Sequence, residues 1–124
     1  MPQERDPFLW RARTQVLALG LVELVTEPWT GRDQVLHLEE ISVCNSLTSG
    51  GDVEVGLLYG GHHFELDTVF ALVGGMYHYA HAKITILSKW QVYARFLYAQ
   101  GEMLVGDILD LHVVGYVLEP YTSP

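Results

Sequence analysis

DVEVGLLYGGHHFELD, residues 52–67, alternates apolar and polar side chains up to a glycine pair and then turns into a second run. Val53, Val55, Leu57 and Tyr59 share one face while Asp52, Glu54 and Gly56 share the other, the period of a strand half buried against a core. Gly60-Gly61 supplies the positive φ that a tight turn demands. The stretch reads as a β-hairpin, and the rest of the chain follows its pattern.

Toward the C-terminus, Leu109, Leu111, Val113 and Val117 point one way and Asp110, His112 and Tyr116 the other. Toward the N-terminus, VLHLEEISVC (35–44) alternates through Leu36 and Leu38, then continues through Ile41 and Val43 on the opposite parity. The slip falls at Glu39-Glu40 and predicts a β-bulge there. A strand whose two halves enter different sheets gives the same pattern.

Glycine pairs at 50–51 and 74–75 and breaks at 28–33 and 100–102 divide the chain into strands near 15–25, 34–44, 52–59, 62–72, 76–87, 90–98 and 107–118. No sustained helical period and no long repeat is visible. The expected fold is all-β: an antiparallel β-sandwich or jelly roll of about seven to eight strands. It occupies residues 15–124 as a single domain, preceded by an extended N-terminal arm over 1–14. Segment 15–25, QVLALGLVELV, is apolar on both faces and is expected to be covered by its own chain or by a neighbouring subunit.

Composition narrows the partners. At 124 residues and 49% apolar, the chain can build one packed core. Fifteen acids against seven bases give a net charge of −8, which repels nucleic acid and anionic membrane surfaces, so neither is an expected partner. The N-terminus lacks the basic-then-apolar order of a signal peptide, and the apolar run at 16–22 is far shorter than a membrane span. Cys44, the lone cysteine, reads as a small buried hydrophobe.

Chemistry is sought first among the histidines. His62 and His63 are adjacent and so face opposite sides of a strand, which counts against shared chelation. His63, Glu65 and Asp67 fall on one face, and with His78 or His81 of HYAH they compose the alternative reading, a cupin-like metal enzyme. A cupin pattern needs HxH where this chain has HH. The preferred reading assigns turn and rim duty to these histidines, with no catalytic residue and no cofactor. The serines lie outside any nucleophile elbow and the glycines outside any phosphate loop. Three Trp, seven Tyr and four Phe leave room for a glycan-binding face, whose mark is exposed rings beside free carboxylates. In the first segment Phe8, Leu9 and Trp10 stand between a proline and a basic pair, Arg11 and Arg13, and are read as a partner-binding arm, the alternative being an arm that folds back on its own sandwich.

Four motifs taken together are Val43–Ser46 (a strand ending in Asn-Ser), Val53–Gly56 (V-x-V-G), Trp90–Ala94 (W-x-V-x-A) and Gly106–Tyr116, which reads G-D-x-L-x-L-x-V-x-G-Y. Over residues 34–118 this pattern resembles small β-sandwich virion proteins of tailed bacteriophages. The resemblance implies a non-enzymatic structural protein, foremost a capsid decoration (cement) protein that binds the major capsid protein through its arm and apolar surfaces. Head–tail or tail accessory proteins share the pattern. It further implies a homo-oligomer, a homotrimer packed through 15–25 being favoured, made in the host cytoplasm and located in the virion. The histidine-rich middle has no counterpart in the pattern.

Overall fold

The computed structural model describes residues 5–17, 21–30, 35–81, 83–98 and 104–118. Among these there is no helix, and hence none long and apolar enough to cross a membrane. The described residues form nine strands: β1 (Arg5–Gln15), β2 (Val22–Val25), β3 (Val35–Asn45), β4 (Asp52–Tyr59), β5 (His62–Val69), β6 (His78–Ala80), β7 (Ile84–Ile86), β8 (Gln91–Leu97) and β9 (Ile108–Leu118).

They make two antiparallel sheets packed face to face. The first runs β1-β9-β3, with β6 and β7 both on the far edge of β3; the second runs β2-β8-β4-β5. With β6 and β7 counted as one interrupted strand, every connection crosses between the sheets except the β4–β5 hairpin, which is the jelly-roll arrangement. Leu36, Leu38, Ile41, Val43, Leu109, Leu111 and Val113 of the first sheet meet Val53, Val55, Leu57, Val92, Ala94 and Phe96 of the second. All are nearly or fully buried, so truncating the largest, Phe96→Ala, costs about 3–5 kcal/mol.

The hairpin forms as the sequence predicts: Tyr59 pairs with His62 across Gly60 and Gly61, at φ 59° and 79°. The bulge at Glu39 is also present, the register of β3 against β9 moving between Leu38 and Glu40. Opposite it the first sheet needs Gly115, because a Cβ there would collide with the His37 carbonyl. A second bulge was not foreseen. The β4–β5 register shifts between Val55 and Gly56, leaving Leu66 unpaired, so Asp67 faces Val55 while Glu65 and His63 lie opposite Gly56 and Leu58. Simple alternation had put all three on one face.

The N-terminal segment requires a correction. Residues 5–14 are not a free arm: β1 pairs with β9 along its whole length, from Arg5↔Leu118 to Gln15↔Ile108. Phe8, Trp10 and Ala12 turn inward and pack on the core, while Leu9, Arg11 and Arg13 turn outward. Phe8, Trp10 and the buried Trp29 form an edge-to-face trio with centroids 4.7, 5.3 and 6.2 Å apart. Residues 1–4 lie outside the described residues. The predicted strand 15–25 also divides. Gln15 ends β1 opposite Ile108 in the first sheet, Val16 is buried, and Val22–Val25 join the second sheet by pairing with β8; 18–20 lie outside the described residues. The strand predicted at 76–87 likewise becomes two short pieces, because the β3 bulge interrupts the edge they pair with.

Candidate functional site

The outward face of the first sheet gathers Arg11 and Arg13 of β1, Asp110 and His112 of β9, and Cys44 of β3, which pairs with Asp110. Asp110 is only 4% exposed although it points away from the core. Arg13 grips it with two bonds, Nε to Oδ1 at 2.8 Å and Nη2 to Oδ2 at 2.9 Å, and Tyr77 donates its hydroxyl to Oδ2 at 3.1 Å. Arg11 Nε adds a longer contact at 3.5 Å. Burial by itself would raise the Asp110 pKa, but the bonds from Arg13 and Tyr77 and the two arginine charges outweigh it and hold the carboxyl below its usual range. The same pairing raises Arg13, and burial followed by the bond to Asp110 raises Tyr77. Burial and then the Asp110 charge push the Cys44 thiol up, which keeps it protonated and unreactive. The arginines expected to seek a partner's carboxylates therefore find one inside their own chain.

On the outward face of the second sheet, His63 sits against Glu23 and Arg95, with Arg95 Nη2 3.1 Å from its Nε2. Arg95 reaches Glu54 Oε2 at 3.9 Å, and Tyr93 donates to that oxygen at 2.7 Å. The Tyr93 hydroxyl comes up against Gly56, where a Cβ would meet it and the Phe64 carbonyl, and burial, then the bond to Glu54, drive the Tyr93 pKa strongly upward. The residues of the metal reading are thus dispersed. His63 belongs to this network, and Glu65 accepts from Thr68. His78 Nε2 accepts from the Val73 amide, and the backbone amide of His81 donates to Asp67. Among the described residues no three His, Cys, Asp or Glu side chains are placed to share an ion.

One end of the sandwich differs from everything else. Asn45 Oδ1 accepts from the amides of Leu47 and Thr48, and its Nδ2 donates to the buried Asp107 and to Tyr98. Ser46 exchanges bonds with Ile108 through its amide and hydroxyl, Gly50 and Gly51 bond with Leu72, and Val16 pairs with Gly106 and Asp107. These bonds lash four loop segments into one rigid rim. From it project Leu17 (81% exposed), Leu47 (66%), Phe70 (73%), Val73, Met76, Leu104 and Val105. Of these residues only Leu17, within the doubly apolar segment 15–25, stood out in the sequence. The available signal was their position: large apolar side chains beside glycine pairs, where turns ordinarily carry small polar ones.

The Asn45-Ser46, Val53–Gly56, Gly106-Asp107 and Gly115-Tyr116 motifs all have structural work in this architecture: knitting the rim, admitting the Tyr93 hydroxyl against Gly56, and seating the β3 bulge. They specify how the sandwich is built. No protein-family model matches the chain, and no curated protein matches it.

Proposed function

We propose that this chain is a non-enzymatic virion structural protein of the capsid-decoration type, which docks on the major capsid protein through its apolar rim. The observation that carries the reading is the rim itself: seven large apolar side chains exposed on loops that hydrogen bonds hold rigid. Such a patch loses free energy to water, and burying it drives association at roughly 25 cal/mol per Å² of apolar area. The rim segments 46–50, 70–71, 73–76 and 104–106 carry no charged side chain, so docking strips no ion of its water. Rigidity lowers the ordering cost of binding.

The partner and the virion location come from the resemblance, and the rim replaces the arm as the docking element. The jelly-roll fold takes no side, since capsid proteins, lectins and cupins all use it. The homotrimer belongs to the same proposal: Leu17 and Leu21, both strongly exposed, border segment 18–20 and offer apolar contact to a second copy.

The test is co-sedimentation of the purified protein with shells assembled from the major capsid protein of the same genome. Wild-type protein is expected to pellet with the shells, and Leu47→Ser/Phe70→Ser to stay in the supernatant while keeping its melting temperature. Absence of wild-type binding, or binding indifferent to the double substitution, overturns the reading. Native mass spectrometry on the same sample reports the trimer.

A further inference from the structure

We propose that the break in the edge of β3 is a binding cleft for a neutral oligosaccharide. On that edge β6 pairs with Ile41–Val43 and β7 with Leu36–Leu38, which leaves Glu39 and Glu40 with no partner strand on the β6/β7 side among the described residues, although Glu40 pairs with Val114 of β9 on the other side. The bulge at Glu39 turns both glutamates to solvent, where regular alternation would have sent one of them into the core. Two adjoining hollows result. One, of about 450 Å³, lies among Glu39, Glu40, Tyr79, His81 and Lys83; the other, of about 340 Å³, lies among Glu39, Lys83, His37, Thr85 and Tyr116. Both volumes fall in the range of small-ligand clefts, roughly 300–1,000 Å³.

The lining selects the ligand. Tyr79 stands 65% exposed at the lip and presents an aromatic surface to the C–H face of a pyranose. The Glu39 and Glu40 carboxylates have no side-chain partner among the described residues and are pure acceptors, which suits ligand hydroxyls. Lys83 supplies donors between the two hollows. In the second hollow His37 stacks on Tyr116 at 5.0 Å and 20°, and Thr85 Oγ1 lies 2.8 Å from its Nδ1, so that wall is fixed before any ligand arrives. The His81 amide, bonded to Asp67, pins the near side.

Two carboxylates against one ammonium disfavour phosphates and acidic sugars. The charged side chains Glu39, Glu40 and Lys83 in the lining disfavour a wholly apolar ligand, and the absence of three converging donors among the described residues disfavours a bare metal ion. Two hollows joined at Glu39 and Lys83 fit two consecutive sugar units, so the ligand is at least a disaccharide. This cleft is separate from the apolar rim, and the proposal stands independently of capsid docking.

The experiment incubates the full chain with an array of immobilised neutral and acidic oligosaccharides, then titrates the best neutral ligand by calorimetry. Expected are binding to neutral glycans, at least a tenfold loss for Tyr79→Ala, a several-fold loss for Glu40→Gln, and retention by Tyr79→Phe, which keeps the ring. Phe70→Ser, at the rim, should leave the affinity unchanged. Tyr79 is exposed on an edge strand, so its substitutions leave the fold intact, and a thermal melt of each variant verifies this. No neutral glycan bound, binding to acidic glycans alone, or affinity indifferent to Tyr79→Ala overturns the proposal.

Discussion

Asp110 and the Glu39-Glu40 pair lie on the outward side of one sheet, yet they differ in every physical respect. Asp110 is buried under Arg13, Arg11 and Tyr77, which together supply it with a bidentate grip, a hydroxyl and two positive charges. Glu39 and Glu40 are exposed, and no side chain of the described residues answers them. The fold has consumed the polarity of the first and left that of the second unspent. A saturated polar cluster is part of the scaffold, whereas an unsaturated one beside an exposed ring is where a ligand can act.

The largest effect expected from this contrast comes from removing what covers Asp110. Deleting residues 1–14 strips nearly all of β1, taking away Arg11, Arg13 and the Phe8–Trp10 contact with Trp29, and exposing the edge of β9. The truncated chain should lose its cooperative thermal transition by circular dichroism. A truncated chain that melts within a few degrees of wild type would make β1 an appendage after all.

Next in size is Asp110→Asn, expected to cost about 1–3 kcal/mol, because a buried group loses the charge that its donors are arranged around. The sign with pH follows from the depressed pKa. The contribution of Asp110 is complete above the ordinary carboxyl value near ~3.9 and is lost as pH falls through the lower folded value. Acid unfolding curves of wild type and Asp110→Asn should therefore begin to draw together as pH falls below about 4. Curves that stay parallel to acid pH would show that the Asp110 charge contributes nothing.

Tyr77 and Tyr79 sharpen the comparison within one short stretch. Tyr77 donates to Asp110, so Tyr77→Phe should cost up to about 1 kcal/mol, the lower range of a hydrogen bond because the ring is partly exposed. Its raised pKa makes this contribution complete below about pH 10 and lost as pH climbs through the folded value, which an alkaline melt series reads. Tyr79→Phe should have no such effect. Equal melting behaviour of the two variants would erase the distinction between them.

The same contrast explains what the sequence disclosed. Strands with one wet face, such as β4 and β9, were legible because alternation is local, and the slip at Glu39-Glu40 betrayed the bulge for the same reason. β1 was hidden by Leu9, an apolar residue on the outward face that broke up the in–out pattern of Phe8, Trp10 and Ala12. The bulge at Leu66 left no slip because β5 is polar on both sides of it. The engagements of Asp110 with Arg13, and of His63 with Glu23 and Arg95, join residues 97, 40 and 32 positions apart, beyond any periodicity. The cleft was half legible: the bulge could be read, but the interruption of the facing edge at β6 and β7 depends on tertiary pairing.

The smallest expected effect is the most telling. Glu39→Gln/Glu40→Gln removes two of fifteen acids from a chain of net charge −8. If the pair is idle in the fold, stability should change by less than about 0.5 kcal/mol, with any change favourable because self-repulsion falls. Chemical denaturation at neutral pH measures this. A loss above about 1 kcal/mol would mean that the glutamates hold the bulge in place, and the cleft would then be one more saturated cluster like that around Asp110. Stability unchanged while oligosaccharide affinity falls would separate binding from folding at these two side chains, which the scaffold around Asp110 does not allow.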